Sequence, residues 1–390
     1  MTQRSTKAAS RCWAVVTLEE FTTPDSTQAS QWQRTWRTVA SRLMGERDTE
    51  QQAKQEHELR KLPETRLSHI VPSIDWSPAA ELLAQALSRQ GLESEPVVFF
   101  ITPPHGGHGE VVGHWARQQG VDEIPPPTYQ ALTDGSLEWV KHCAPFKRWA
   151  LPELERHMLR HSQGLQGVRE FLERAMSGRL GHGVIGCDSW TYAYLQHVVG
   201  VEGAPVFTLQ ALEGEQLASY FAAIASSQED ELAVYSTRTG KLVLPRRDDQ
   251  VRKATANGEL QRLAAHCRGH LGVAWHYWRE RLREPVSEHG AQAHSQKLWL
   301  LDALADAELP ATTGDVAMLV LHALLLHGGL EDQALGDVLP FSHHEALNAR
   351  LALTRQGILS CQGSRWQVAP LSYASVRQLL ESRNYLVDPL

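Results

Sequence analysis

The stretch VVFFITPPHGGHGEVVGHWARQQG, residues 97–120, decides how the rest of the chain is interpreted. It begins with an apolar run of β-forming residues at 97–101, which two prolines and a cluster of glycines end. A segment with helical spacing follows. A strand, a glycine-rich loop and a helix in this order form a phosphate cradle in many proteins, because the loop and the first helical turn present backbone N–H groups to the anion. The stretch predicts either such a cradle at residues 102–109 or a plain turn between strand and helix.

The bulk composition limits the classes of protein to which the chain can belong. Its 390 residues suggest two or three domains, and 42% of them are hydrophobic, which is enough for real cores. The formal net charge of −7 argues against a protein that coats nucleic acid along its length. Five scattered cysteines without metal-type spacing favour a reducing compartment. No apolar run suits a signal peptide or a transmembrane helix, so we expect a cytoplasmic protein without membrane insertion.

Strand and helix patterns alternate over roughly 150 residues after the first helix, which predicts a parallel α/β sheet. Strand-like pieces occur in RLGHGVIGCDSW, APVFTLQAL and ELAVYSTRTGKLVLP. Later, ELQRLAAHCRGHLGVAWHYWRERLRE indicates two helices broken at its glycines. The predicted organisation is a polar N-terminal segment (1–75, with a solvated helix or mobile arm at 28–66), an α/β core (76–250), a helical lid (251–310) and a C-terminal domain (311–390).

Residues 102–109 align with the P-loop pattern G-x-x-x-x-G-K-[ST]. In that pattern the glycines let the backbone wrap the phosphates, the lysine neutralises them and the hydroxyl holds Mg²⁺. Gly107 matches the second glycine of the pattern. However, His108 stands where the lysine belongs, and Gly109 stands where the hydroxyl belongs. The loop therefore has the surroundings of a P-loop without its charged residue.

Further segments extend this likeness in the same order along the chain. VIGCDSW resembles a Walker B strand that ends in Asp188, although Ser189 follows where a second acid is usual. PVFTLQALEGEQLASYF resembles the strand and acidic helix start found late in AAA+ and STAND-type ATPase modules, and CRGHLGVAWHYWRERL resembles their helical lid. Over roughly residues 76–385 the chain resembles a degenerate P-loop ATPase of the AAA+/STAND kind. The resemblance implies a P-loop NTPase-like parallel sheet, a helical lid and a C-terminal winged helix.

The departures from the family pattern predict a loss of catalysis. An imidazole is a poor substitute for a fixed ammonium group, and Mg²⁺ loses a ligand with the missing hydroxyl. Because phosphoryl transfer depends on positioning and charge neutralisation, we expect no efficient hydrolysis. ATP or ADP would bind weakly at most, through the residues Thr102, His105, Gly106, Gly107, His108, Gly109 and Asp188. No metal site is predicted. A nucleotide-binding protein, a divergent active ATPase and an unrelated α/β domain remain as alternatives.

Residues 311–390 indicate a separable unit. Helical patterns occupy DVAMLVLHALLLHGG, LEDQALGDVLPF and SHHEALNARLALTRQG, the third opened by a serine cap with a glutamate three residues later. ILSCQGSRWQVAP then indicates two short strands around a turn. Three helices and a hairpin are typical of a winged helix. Used as a DNA reader, it would offer the side chains of His343, His344, Asn348, Arg350, Arg355 and Arg365.

This supply of basic side chains is thin for DNA binding, because phosphate neutralisation dominates the affinity. A protein-docking role is therefore favoured for the winged helix. We expect the chain not to be an enzyme. It is predicted to be a pseudo-ATPase-like scaffold or regulatory protein that acts through a protein partner. Such a protein could also form an oligomer. The alternative is a winged-helix DNA-binding regulator or adaptor of mobile-element or defence machinery.

Overall fold

The computed structural model describes residues 12–24, 58–143, 147–225, 232–244, 258–286, 297–302, 304 and 314–390. The chain divides into two compact units. A small unit comprises Met1–Trp13, Thr22–Asp75 and Gln210–Ala305, and a large unit comprises Ala14–Phe21, Trp76–Leu209 and Asp306–Leu390. Of the solvated helix or mobile arm predicted at 28–66, residues 28–57 lie outside the described residues.

The described strands are, in chain order, β1 (Val15–Thr17), β2 (Leu59–Lys61), β3 (Val97–Thr102), β4 (Asp122–Glu123), β5 (Arg148–Leu151), β6 (His182–Asp188), β7 (Val206–Leu209), β8 (Ala233–Ser236), β9 (Leu282–Pro285), β10 (Lys297–Leu300), β11 (Leu359–Gln362) and β12 (Arg365–Val368). The described α-helices are α1 (Glu64–Ile70), α2 (Ser77–Arg89), α3 (His108–Gln119), α4 (Tyr129–Thr133), α5 (Glu138–His142), α6 (Gln166–Met176), α7 (Ser189–Val198), α8 (Gly214–Ala225), α9 (Gly258–His266), α10 (Leu271–Arg281), α11 (Asp315–Leu326), α12 (Asp332–Val338), α13 (His343–Arg355) and α14 (Tyr373–Ser382). None of the described helices is long and apolar enough to cross a membrane.

The large unit is built on a six-stranded sheet with the order β1-β7-β3-β6-β5-β4. The strands from β3 to β7 are mutually parallel, and β1 runs antiparallel to β7 at one edge. All six residues of β3 are buried, as expected for a strand with both faces covered. The α/β class and the predicted central parallel strand at 97–101 are therefore confirmed.

The register of β3 and β6 fixes the geometry at one edge of this sheet. Thr102, the last residue of β3, lies opposite Asp188, the last residue of β6. Ligand crevices of open α/β sheets form outside the carboxyl ends of the strands. The loop at 102–109 and Asp188 therefore occupy neighbouring positions on that edge, as the sequence predicted.

Aromatic and aliphatic side chains from the sheet pack against α6 and α7. The ring centroids of Trp149 and Phe171 lie 5.2 Å apart, and those of Phe99 and Tyr192 lie 5.4 Å apart, both with edge-on geometry. These four side chains belong to one buried cluster with residues of β3, β5 and β6. Each fully buried side chain of this size contributes about 1.5–3 kcal/mol, so this packing holds the carboxyl ends of the strands in place.

The C-terminal part of the large unit contains α11, α12, α13 and the antiparallel hairpin β11–β12, which confirms the predicted three helices and hairpin. The side chain of Ser342 accepts a hydrogen bond from the N–H group of Glu345, and the Glu345 carboxylate accepts one from Ser342 in return. This capping box begins α13 where the sequence placed it. The helix α14 follows the hairpin and was not predicted.

The small unit contains a second sheet with the order β2-β9-β10-β8. Only β8 and β10 are parallel in it; the other neighbours are antiparallel. β8 was expected among the strands of the parallel sheet, and this prediction was wrong. The strand pairs with β10, more than 60 residues later in the chain, and periodicity does not reveal such a partner. The two helices α9 and α10 are confirmed, but the region predicted as a helical lid also supplies β9 and β10.

Candidate functional site

The loop between β3 and α3 is shaped by two backbone positions with positive φ. His105 has a φ of 64° and Gly107 a φ of 78°. The N–H group of Gly106 donates to the carbonyl of Pro103 at 2.9 Å, which closes the turn. α3 begins at His108, and its N-cap residue, Gly107, has no side chain that could cap it. The predicted strand-to-helix turn therefore exists, with the first helical turn at the carboxyl edge of the sheet.

Two side chains crowd this loop. A Cβ atom added to Gly107 would overlap the indole ring of Trp76, which is buried. A Cβ atom added to Gly109 would lie 2.9 Å from Cγ of Glu153. The glycines therefore give Trp76 and Glu153 room to approach the backbone. An indole ring and a glutamate side chain therefore pack against the loop.

His108 turns its ring into the protein. Nδ1 lies 3.0 Å from the hydroxyl of Thr102, and Nε2 lies 2.8 Å from Oε1 of Glu155. The side chain of His108 is 12% exposed and that of Glu155 is 5% exposed, so the pair is shielded from water. A protonated imidazole donates from both nitrogens and matches both acceptors.

Glu155 was missed by the sequence analysis. It lies in the short 3-10 turn that follows β5, and its Oε2 accepts a hydrogen bond from the N–H group of Asp188 at 3.2 Å. A Cβ atom on Gly328 would lie 2.9 Å from Cγ of Glu155, so the carboxylate also reaches the residues that follow α11. The available signal was the stretch WALPELE, an apolar run followed by two acids. Its strand offers only three apolar residues between Arg148 and Pro152, so the sequence did not show it clearly.

The pKa values of the site reflect this pairing. Burial alone would lower the pKa of His108, but the charge and hydrogen bond of Glu155, with the charges of Asp188 and Glu153, raise it to about 9. Burial alone would raise the pKa of Glu155, but the charge and hydrogen bond of His108 lower it. Burial raises the pKa of Asp188 well above its ordinary value, and His108 offsets this only in part. The imidazolium and the Glu155 carboxylate thus stabilise each other's charged forms.

Asp188 begins α7. Its Oδ1 accepts a hydrogen bond from the N–H group of Trp190 at 2.9 Å, the usual role of an aspartate at an N-cap. The side chain is only 2% exposed. The structure brings Asp188 close to the loop, but it uses this carboxylate as a helix cap.

The loop also contacts the hairpin. The Nε2 atom of His105 lies 3.0 Å from the carbonyl oxygen of Val368, the last residue of β12. The predicted cofactor-binding residues are therefore close together, and the side chains of His105, His108 and Asp188 all bind partners within the protein.

The predicted nucleic-acid residues of α13 and the hairpin fall into two groups. Arg350 is buried, with Nε 3.0 Å from Oδ1 of Asp332 and its guanidinium 4.2 Å from the ring centre of Trp366. Arg365 donates to the carbonyl oxygens of His327, at 2.9 Å, and Gly329. Both guanidinium groups therefore have partners within the protein, and Arg350 is buried whereas Arg365 is half-buried. The exposed remainder is His343, His344, Asn348 and Arg355.

A cleft of about 500 Å³ opens beside the first turn of α3. The carboxylates of Glu110, Glu123 and Glu153 line it, and Arg117 lies 3.4 Å from Glu123. This balance of charge disfavours an anion such as a nucleotide phosphate. Among the described residues, no group of three or more His, Cys, Asp or Glu side chains could hold a metal ion.

No protein-family model matches the sequence, and no curated protein is significantly similar to it. The geometry of the loop and its partners is therefore the basis for assigning a function.

Proposed function

We propose that the chain is a scaffold or regulatory protein on a degenerate P-loop ATPase framework of the AAA+/STAND kind, and that it acts through protein contacts without hydrolysing ATP. The observation that carries this proposal is the buried pair of His108 and Glu155, 2.8 Å apart at the lysine position of the P-loop pattern. The cation that would have to meet a phosphate already has a carboxylate partner.

The electrostatics around the loop oppose a triphosphate. Glu153, Glu155 and Asp188 lie near the first turn of α3, and their charges all act on His108. A nucleotide phosphate would have to displace Glu155 from His108 and then remain close to the released carboxylate. Breaking a buried ion pair costs about 3–5 kcal/mol, which corresponds to a loss of roughly two to three and a half orders of magnitude in affinity.

The architecture supports the framework named here. The loop follows a central parallel strand, and Asp188 ends the neighbouring parallel strand. The three helices and hairpin at the C-terminal end support a winged helix. Arg355 is its only exposed arginine or lysine within α13 and the hairpin, both of which the structure describes fully, and this favours protein contacts over DNA.

The test is ATP turnover in the presence of Mg²⁺. We expect the intact chain to release no more phosphate than a His108→Ala/Asp188→Ala variant. A clear Mg²⁺-dependent hydrolysis that Asp188→Ala abolishes would overturn the proposal and show an active ATPase.

A second variant tests the physical cause. His108→Lys combined with Glu155→Gln supplies a cation without a carboxylate partner, so we expect calorimetry to detect ATP binding to this variant more tightly than to the intact chain. Equal or tighter binding of ATP by the intact chain would show that the His108–Glu155 pair does not exclude phosphate.

A further inference from the structure

The segment 386–390 is held in the large unit like a bound peptide. α14 ends at Ser382, and Asn384, with a φ of 59°, turns the chain away from the helix. Residues 386–390 belong to no helix or strand. The hydrogen bonds described for residues 386–389 all involve side chains of other elements, such as His322, whose Nε2 lies 3.1 Å from the carbonyl of Leu386. The segment can therefore leave without breaking a ladder of backbone hydrogen bonds.

Asp388 is the polar anchor of this segment. Its Oδ2 accepts from the hydroxyl of Ser189 at 2.8 Å and from that of Tyr373 at 3.2 Å, and its Oδ1 accepts from Nε of Arg377 at 2.8 Å. Ser189 is 0% exposed, Tyr373 2% and Arg377 7%, so the three donors form a buried carboxylate pocket. Trp190 donates to the Tyr373 hydroxyl at 3.1 Å and holds it in place.

Leu390 is the apolar anchor. Its side chain is completely buried and belongs to the cluster that contains Tyr192 and Cys187. Pro389 between the two anchors is exposed. Arg377 also donates to the carbonyl oxygens of Asp388 and Leu390, at 3.2 and 3.3 Å. The large unit thus holds the Asp388 carboxylate in a polar pocket and the Leu390 side chain in an apolar one, with the exposed Pro389 between them.

We propose that the pocket of Ser189, Tyr373 and Arg377 is a recognition site for an Asp-x-Leu segment of a partner protein, and that residues 388–390 of this chain occupy it until the partner displaces them. An empty pocket would take the carboxylate acceptor away from the hydroxyls of Ser189 and Tyr373 and from Nε of Arg377, although Arg377 keeps its ion pair with Glu381. This loss is costly, so a replacement carboxylate favours the released state. The tethered segment competes through its high effective concentration, which keeps the site closed to weak ligands. The pocket adjoins the predicted cofactor-binding residues, because Ser189 follows Asp188 in the chain and the charge of Asp388 acts on Asp188.

The experiment uses a fluorescent peptide with the sequence LVDPL, that of residues 386–390, and measures its anisotropy. We expect a chain that lacks residues 386–390 to bind the peptide. The intact chain should bind it with an affinity at least about tenfold lower, because its own segment competes. A peptide with Asp388→Asn should lose about tenfold in affinity or more, since it gives up a charge-assisted hydrogen bond. A shortened chain with an unchanged circular dichroism spectrum that does not bind LVDPL would overturn the proposal.

A full-length variant serves if the shortened chain does not fold. Asp388→Asn in the intact chain weakens the tethered segment only, so this variant should bind LVDPL more tightly than the unchanged chain does, and adding Arg377→Gln should remove that binding. If a folded Asp388→Asn chain binds the peptide no better than the unchanged chain, the segment is not displaceable. A concentration-dependent dimer of the intact chain that Asp388→Asn dissociates would assign the pocket to a second copy and overturn the assignment to a partner protein.

Discussion

The Nε2 atom of His108 lies 2.8 Å from Oε1 of Glu155, and the other carboxylate oxygen of Glu155 accepts a hydrogen bond from the N–H group of Asp188. This one carboxylate therefore joins the segments that follow three neighbouring strands, β3, β5 and β6. A P-loop lysine binds a ligand that comes and goes, whereas His108 binds a permanent part of the protein. The pair has consequences for stability that can be measured without any ligand.

Removing one partner of the pair should destabilise the protein strongly. His108→Gln or Glu155→Gln leaves the other charge buried, so we expect each variant to lower the free energy of unfolding by about 3–5 kcal/mol. The double variant should lose much less than the sum of the two. Denaturant unfolding of the four proteins in a double-mutant cycle measures the coupling.

The matched control for this cycle is Arg174 and Glu170, an ion pair at 2.6 Å on the surface of α6 with side chains about 30% exposed. This pair should give a coupling of only a few tenths of a kcal/mol. Equal coupling in the two cycles would contradict the view that His108 and Glu155 form a buried charge pair.

The same pair predicts a loss of stability at alkaline pH. The pKa of His108 in the folded protein is about 9, above its ordinary value of 6.5, so the folded state holds this proton more tightly than the unfolded state. The stabilisation is complete below pH 6.5 and is lost as the pH rises through about 9. The difference corresponds to about 3 kcal/mol.

Unfolding free energies between pH 6 and about 10 test this for the intact chain and for His108→Gln. The difference between the two proteins should shrink as the pH rises. A constant difference would show that the pKa of His108 is the same in the folded and the unfolded state.

The sequence revealed the elements of the fold more readily than their partners. β3, β6 and β7 were visible because a strand buried on both faces is a continuous apolar run. β4 has two residues, and a run this short cannot be told from a loop. β5 is as long as β7, but it begins with an exposed arginine and ends directly before a proline, which obscures its pattern. β8 was recognised as a strand but assigned to the wrong sheet, since pairing over a long stretch of chain leaves no local pattern.

The candidate site was predictable in part for the same reason. The positions of Thr102 and Asp188 followed from two recognisable parallel strands. Glu155 could not be placed beside His108, because this contact depends on β5 lying next to β6. Trp76 precedes α2, and nothing in the sequence pairs it with Gly107. The P-loop pattern indicated which of its residues the loop does not have, but only the packing shows which side chains surround the loop.

Gly107 should contribute to stability in two ways: it adopts a positive φ without strain, and its lack of a side chain leaves room for the Trp76 ring. Gly107→Ala forces alanine into a φ of 78° and pushes a methyl group into the Trp76 ring. Gly120→Ala is the matched control: its φ is 61°, but nothing lies within 4 Å of the added Cβ atom. We expect Gly120→Ala to cost about 1 kcal/mol and Gly107→Ala distinctly more. Equal losses in thermal unfolding would show that Trp76 does not pack on the loop.

Acid should weaken the large unit through His327. Burial lowers the pKa of this residue to about 4, and its Nε2 accepts a hydrogen bond from the N–H group of Arg160 at 3.0 Å, which a protonated ring cannot do. The unfolded state binds the proton first, so stability falls as the pH drops from 6.5 towards 4, by at most about 1.4 kcal/mol per pH unit. Unfolding of His327→Gln should show a shallower pH dependence than that of the intact chain. Parallel curves would contradict this role for His327.

The two arginines of α13, Arg350 and Arg355, differ in burial, so replacing them should affect stability differently. Arg350 pairs with Asp332 and lies over Trp366, so Arg350→Ala should lower the melting temperature by several degrees. Arg355 is exposed and should be replaceable without loss of stability.

Since each neutralised phosphate adds about 0.9 to the slope of log affinity against log salt, one exposed arginine supports a slope of only about 1. We therefore expect a bandshift assay at physiological salt to show weak binding of duplex DNA by the intact chain, with little further loss in Arg355→Ala. Tight binding that Arg355→Ala abolishes, with an unchanged melting temperature, would instead assign α13 to DNA.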